Sequence, residues 1–272
     1  MEAKEPLGRG ATARLLADHG VHPRKELGQH FLVDPNLVRR IVAAAGVGPG
    51  DRVLEIGAGA GTLTRALAAS GASVLAYEID PRLAPVLEAA LAGVPNAEVR
   101  FEDAAGLDPA ALGAGPWVMV ANLPYNVGTP LLLRLLREAP AIERFVVMLQ
   151  REAVERLAAP PGSRTYGLPS VVVQLHGSIS IAFRVPATVF LPPPKVESAV
   201  AVIRRTPANP RSERATAQDA APFPGRGPGG SRRRAGRRRA RPHTAGRGTI
   251  AAGLPAPGGG RRCNLRPSPR ST

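Results

Sequence analysis

Apolar residues in "NLVRRIVAAAGV" (36–47) recur every three to four positions before Pro49-Gly50, which predicts a helix. The same spacing predicts helices over "TLTRALAASG" (62–71), "RLAPVLEAALAG" (82–93), "TPLLLRLLRE" (129–138) and "REAVERLAA" (151–159). Between them lie short apolar runs rich in Val and Ile. "RVLEIGAG" (52–59), "SVLAYEID" (73–80), "AEVRFED" (97–103), "WVMVAN" (117–122) and "RFVVMLQ" (144–150) read as strands. "SVVVQLHGSISIAFRV" (170–185) and "SAVAVIRR" (198–205) read as further strands. Strands alternating with helices at this spacing predict an α/β fold with an open, mostly parallel sheet and helices on both faces. Residues 1–22 carry no clear period and are expected to be a poorly ordered lead-in.

Composition adds compartment and partners. The chain has 272 residues, of which 44% are hydrophobic, enough for a sizeable core. Its one cysteine, Cys263, rules out an internal disulfide or a cysteine-based metal site, and no metal is called for. No apolar run reaches the roughly 18 residues that span a bilayer, and the first residues lack the order of a secretory signal. A cytoplasmic, monomeric protein without membrane contact is expected. The net charge of +15 is unevenly spread. Residues 211–272 hold 15 Arg against Glu213 and Asp219, while residues 1–210 hold 21 Lys and Arg against 19 acids. The body is nearly balanced, and the tail supplies the excess.

Candidate chemistry sits where strands meet helices. "LEIGAGAGTLT" (54–64) places Gly57, Gly59 and Gly61 at such a junction, where a glycine backbone can approach a ligand closely. The dinucleotide fingerprint wants its third glycine one position later, where Thr62 stands. That argues against NAD and for the tighter loop of S-adenosylmethionine enzymes. Glu78 ends the second predicted strand, where a carboxylate can accept ribose hydroxyls. Asp103 ends the third, where one can accept an adenine amino group. "ANLPYNVGTP" (121–130) closes the fourth with an amide, a proline and an aromatic ring, a set suited to holding something flat.

That last stretch resembles the signature of the ribosomal RNA adenine dimethyltransferases that act on the small subunit. "RKELGQHFLVD" (24–34) is similar to the family's N-terminal cofactor motif, and "VFLPPPKVESAV" (189–200) to its late substrate-side motif. The matches run in the family's order over about residues 22–205. The resemblance implies a Rossmann-like, seven-stranded methyltransferase domain over 23–206, with S-adenosylmethionine held by His30, Leu32, Gly57, Glu78, Asp103 and Asn122. Position 30 is often Asn in relatives, so His30 is a departure. Asn122, Leu123, Pro124, Tyr125 and Phe190 are the implied catalytic set. In it the Asn122 side-chain oxygen and the Pro124 carbonyl accept the two N6 protons of an adenine, Tyr125 stacks on the base and Phe190 closes the other face. The implied substrate is a pair of adjacent adenines in the 3′-terminal hairpin loop of small-subunit rRNA, each methylated twice, with the 30S precursor as partner. Arg24, Lys25 and Lys195 are candidate phosphate contacts, or plain solvated charges.

Two other readings stay open: a 23S rRNA adenine methyltransferase, which shares the glycine loop and an Asn-x-Pro-aromatic motif, and a non-catalytic RNA-binding assembly factor. The chain departs from the family after residue 206. Residues 211–272 hold 11 Gly, 8 Pro and four residues of Ile, Leu, Val and Phe combined, too few to offset the entropy of ordering, so 207–272 is expected to be a disordered tail. It reads either as an arginine-rich RNA-binding extension or as a non-native one. Back-translated "AQDAAPFPG" (217–225), read one nucleotide later, can encode Arg-Lys-Met-Leu-Arg-Arg-Ser-Leu, like the basic stretch of the family's small helical domain. A frameshift between about Arg205 and Ala217 is therefore expected, and resequencing decides it.

Overall fold

The computed structural model describes residues 5–125 and 127–206. The tail expected over 207–272 lies outside them. The elements, in chain order, are α1 (Arg9–Asp18), β1 (Phe31–Leu32), α2 (Pro35–Ala45), β2 (Arg52–Ile56), α3 (Thr62–Ala69), β3 (Ser73–Tyr77), α4 (Ala84–Ala90) and β4 (Ala97–Arg100). There follow β5 (Trp117–Asn122), α5 (Gly128–Glu138), β6 (Ile142–Gln150), α6 (Arg151–Leu157), α7 (Leu168–His176), β7 (Gly177–Val185), β8 (Phe190–Leu191) and β9 (Ser198–Arg205). Local chemistry sets many of the ends. In α2, Asp34 accepts the N–H groups of Asn36 and Leu37, Pro35 stands in the first turn, and Gly46 closes the helix in the left-handed region.

Seven strands form one sheet in the order β4-β3-β2-β5-β6-β9-β7. All neighbours pair in parallel except β9, which runs antiparallel to both β6 and β7. The expected mostly parallel sheet is present. Alternation along each strand divides the core into two layers. Val53, Val118, Val120 and Val146 pack with α2 and α3 on one face. Leu54, Met119, Phe145 and Val147 pack with α5, α6 and α7 on the other. From β2 the chain winds outward through β3 and β4, then returns to β5 on the opposite side of β2. The order reverses between β2 and β5, the position where open α/β sheets bind ligands.

Two expectations fail. The Val-rich run 170–176 is helix α7, although its β-branched residues favour strand. Only Ser170 and Val173 in it are buried, a spacing of three that suits one helix face. The Ser170 hydroxyl also accepts the Gly167 N–H and donates to Arg156 O, anchoring the first turn. The helix gives way to β7 at Gly177, where an added Cβ would lie 2.4 Å from Arg204 O. The lead-in contains α1, which buries Thr12 and Leu16. Arg9 holds it by donating to the carbonyls of Thr188 and Phe190, contacts no local pattern announces.

Candidate active site

The glycine turn after β2 holds three positive φ values, 84° at Gly57, 56° at Gly59 and 78° at Gly61. Side chains rarely adopt that region, so the turn demands glycine at each position. Space adds to this at Gly61, where a Cβ would stand 3.1 Å from the Ala90 Cβ, while one on Gly57 would meet Asn122 O at an ordinary 3.6 Å. The loop therefore lies close against the end of β5, across the point where strand order reverses.

Glu78 follows β3 directly and is 5% exposed. One carboxylate oxygen accepts the Gly59 N–H at 2.8 Å and the other the Asp80 N–H at 2.9 Å. Burial raises its pKa, and these backbone donors oppose the rise. Each oxygen keeps a second lone pair for a ligand hydroxyl. Asp103 lies three residues past the end of β4, not at the strand end itself. It caps a short 3₁₀ turn by accepting the Ala105 N–H.

The segment before α2 closes the cavity from the N-terminal side. Gln29 donates to Asp80 at 2.9 Å. Asp80 also takes a fork of bonds from Arg82, which with Gln29 holds its carboxyl at about 2 against the opposing effect of burial. His30 Nδ1 meets Pro192 O at 2.8 Å. A carbonyl only accepts, so Nδ1 carries a proton and Nε2 is the ring's second polar atom. β1 and β8 pair antiparallel, with Leu32 opposite Phe190.

Asn122 ends β5, and its Nδ2 donates to His30 O at 3.3 Å. That bond orients the amide and leaves Oδ1 as an acceptor. The Tyr125 hydroxyl meets the Ser198 hydroxyl at 2.7 Å, and the Tyr125 ring lies 5.8 Å from the His30 ring at 28°. Burial raises the pKa of the phenol. One cavity is lined by His30, Leu32, Gly57, Glu78, Asp103, Asn122, Leu123, Pro124 and Tyr125 together. Its wall includes Glu55, Glu78, Glu102 and Asp103, and among the described residues no Lys or Arg. Such a wall favours a cationic ligand.

The structure bears on three of the expected roles. Phe190 is 0% exposed and packs in the core layer shared with α2 and α3, outside the cavity lining. Buried there among its neighbours, it does not cover a base in this arrangement. Leu123 is 1% exposed and packs against α5, which makes it an anchor for the loop. Pro124 O already accepts the Gly128 N–H at 2.8 Å, in the turn that opens α5. Arg24, Lys25 and Lys195 are exposed. Local sequence missed Gln29, Asp80 and Ser198: Gln29 meets Asp80 across 51 positions, and Ser198 meets Tyr125 across 73. Glu55 could have been found as the one charge inside an apolar strand.

Known proteins match this arrangement. The family model for ribosomal RNA adenine dimethylase covers residues 20–217. A ribosomal RNA small subunit methyltransferase A from Magnetococcus marinus is 47% identical over 194 residues, 70% of each chain. The Corynebacterium jeikeium protein of the same name is 47% identical over 207 residues, 73% of this chain and 66% of its own. The chain thus spans about two thirds of the length of these relatives. A Plasmodium falciparum dimethyladenosine transferase superposes with a TM-score of 0.60 at 31% identity, covering 70% of this chain and 67% of that one. The 23S rRNA methyltransferase ErmE superposes at 0.59 with 33% identity, covering 69% and 76%. A glycine turn facing an Asn-Leu-Pro-Tyr loop across a cavity walled by acids, with these relatives, places the chain in the ribosomal RNA adenine dimethylase family, a family of S-adenosylmethionine-dependent methyltransferases.

Proposed function

We propose that the chain transfers methyl groups from S-adenosylmethionine to N6 of two adjacent adenines in the 3′-terminal hairpin loop of small-subunit rRNA, in the cytoplasm during ribosome assembly. One observation carries the reading: Asn122 and Tyr125 line the same cavity as Gly57, Glu78 and Asp103. The glycine turn and the acidic wall suit the cofactor, a nucleoside bearing cationic sulfur. When bound, it supplies an electrophilic methyl group with a neutral leaving group.

The chain's own residues do the remaining work. The N6 lone pair of adenine is delocalised into the ring and attacks poorly. Accepting both N6 protons draws that lone pair out of conjugation. Asn122 Oδ1 is one acceptor, oriented by the bond from Nδ2 to His30 O. Pro124 O keeps a second lone pair but is aimed into the turn that opens α5 by its bond from Gly128, so we assign the second acceptor to the Leu123 carbonyl. Stacking on Tyr125 contributes about 1–3 kcal/mol. A paired base cannot reach such a pocket, so the target is unpaired or flipped. Alignment supplies much of the rate, and no strong general base is required.

Mass spectrometry of rRNA incubated with protein and cofactor reads nucleotide, position and methyl count together. Asn122→Ala is expected to lower methylation at saturating cofactor by about a hundredfold or more, the scale for losing one oriented group at a reacting centre. Methylation by the variant at the wild-type rate overturns the assignment. The likeness to ErmE favours a second reading, in which the substrate is 23S rRNA. Offering both subunits in one assay separates the two, and absence of cofactor heat on titration returns the chain to a binding-only role.

A further inference from the structure

Glu55 is the third residue of β2, flanked by buried Val53, Leu54 and Ile56, and is itself 1% exposed. Strand alternation places it on the same side as Val53, toward α3. It also lines the cofactor cavity. Among the described residues neither carboxylate oxygen has a hydrogen-bond partner, nor do the buried hydroxyls of Thr62 and Thr64 at the start of α3. Thr64 is near enough to moderate the charge without making a well-formed bond. Four orphaned polar atoms under the glycine turn require an explanation, since burying an unpaired polar group is costly and an unpaired charge far more so.

The surroundings sharpen the problem. Glu78 at the end of β3 adds repulsion at Glu55. Glu102 and Asp103 after β4 line the same cavity, as does His30 from the N-terminal segment. The nearest cation along α3, Arg65, is turned away to the carbonyls of Ala90 and Glu5. Burial outweighs the opposing Thr64 hydroxyl and, with a smaller repulsion from Glu78, pushes the Glu55 carboxyl up to about 8. At neutral pH the empty protein therefore holds mostly the uncharged acid. A cationic ligand in the cavity reverses that preference, because it supplies the opposite charge that β2, β3 and α3 withhold.

We infer that Glu55 is a proton-linked binding residue: a neutral acid in the empty cavity, and a carboxylate facing the cationic cofactor once it is in. The balance is one carboxyl O–H broken, its proton passing to solvent, and one ion pair formed with the ligand. This rests on the cavity being the S-adenosylmethionine site.

The test is calorimetric titration of S-adenosylmethionine into the full chain at pH 7, in phosphate and in Tris, whose ionisation enthalpies differ. The dependence of heat on buffer counts protons. Wild type is expected to release close to one, and Glu55→Gln close to none. Wild-type affinity should rise by nearly tenfold per pH unit between about pH 6 and 7.5, and that of the variant should not. Heat without buffer dependence, or the same proton count in Glu55→Gln, overturns the inference.

A second measurement needs no cofactor. An acid whose folded pKa is raised contributes stability that is present below its unfolded pKa and is lost as pH rises toward 8. The thermal midpoint of empty Glu55→Gln should therefore gain on wild type from pH 5 to pH 8. A constant gap overturns the inference, and this series carries the attribution if the variant binds too weakly to titrate. Absence of heat with either protein instead counts against the cofactor cavity itself.

Discussion

The ring expected to stack on the target base is held at its far end. The Tyr125 hydroxyl meets Ser198 Oγ at 2.7 Å, and Ser198 is fully buried at the first position of β9, opposite Gln150 and Val185. Replacing Ser198 with Ala removes one neutral hydrogen bond and leaves the phenol, itself only partly buried, free to find water. Such a bond contributes about 0.5–1.5 kcal/mol, so a loss near 1 kcal/mol is expected in urea unfolding. Tyr125→Phe breaks the same bond from the other side. The double variant should therefore lose no more than the worse single one, a coupling of about 1 kcal/mol. If the bond also fixes the ring for stacking, kcat/KM for RNA falls by about fivefold, which is 1 kcal/mol of transition-state stabilisation. Cofactor affinity should not change. Additive losses in the double variant would refute the coupling. A Ser198→Ala protein that is less stable yet methylates RNA with unchanged kcat/KM would refute the positioning role.

Two further outcomes follow from the packing. Arg205 donates to the carbonyls of Leu136, Ala139 and Ile142 at 2.9–3.1 Å, closing the end of α5, so Arg205→Met should cost about 3 kcal/mol in urea unfolding. Arg205→Lys should recover less than half, because an ammonium cannot fork to three carbonyls, and a loss below about 1 kcal/mol would show the cap to be dispensable. Gly61→Ala combines a left-handed backbone with a Cβ 3.1 Å from Ala90 and 3.3 Å from Leu87. It should cost about 1–3 kcal/mol by thermal unfolding and weaken cofactor binding by roughly tenfold; wild-type affinity would show that the turn tolerates a side chain.

The parallel sheet, the glycine turn and the acids after β3 and β4 were legible because each is written in neighbouring residues. Alternating strand and helix periods announce a parallel sheet, and glycines between a strand and a helix mark a close-approach turn. The resemblance carried by Asn122, Pro124 and Tyr125 extended that reading to residues the structure brings into one cavity. Propensity misled over Val171, Val172 and Val173, where β-branched residues read as strand. A helix formed because its turns could pack Val173 against the layer beneath.

What stayed hidden depends on partners far apart in the chain. Tyr125 finds Ser198 73 positions away, Asn122 finds His30 92 positions away, and His30 finds Pro192 162 positions away. No local pattern records such pairings, since the polar atoms meet only after the sheet has ordered. The burial of Phe190 in the layer shared with α2 and α3, and the bond on Pro124 O in the turn that starts α5, arise only in the packed fold. Local periodicity carries the elements and their ends because backbone geometry repeats over a few residues. Which face each side chain takes, and whether a buried acid such as Glu55 meets a partner, is settled only when distant elements pack.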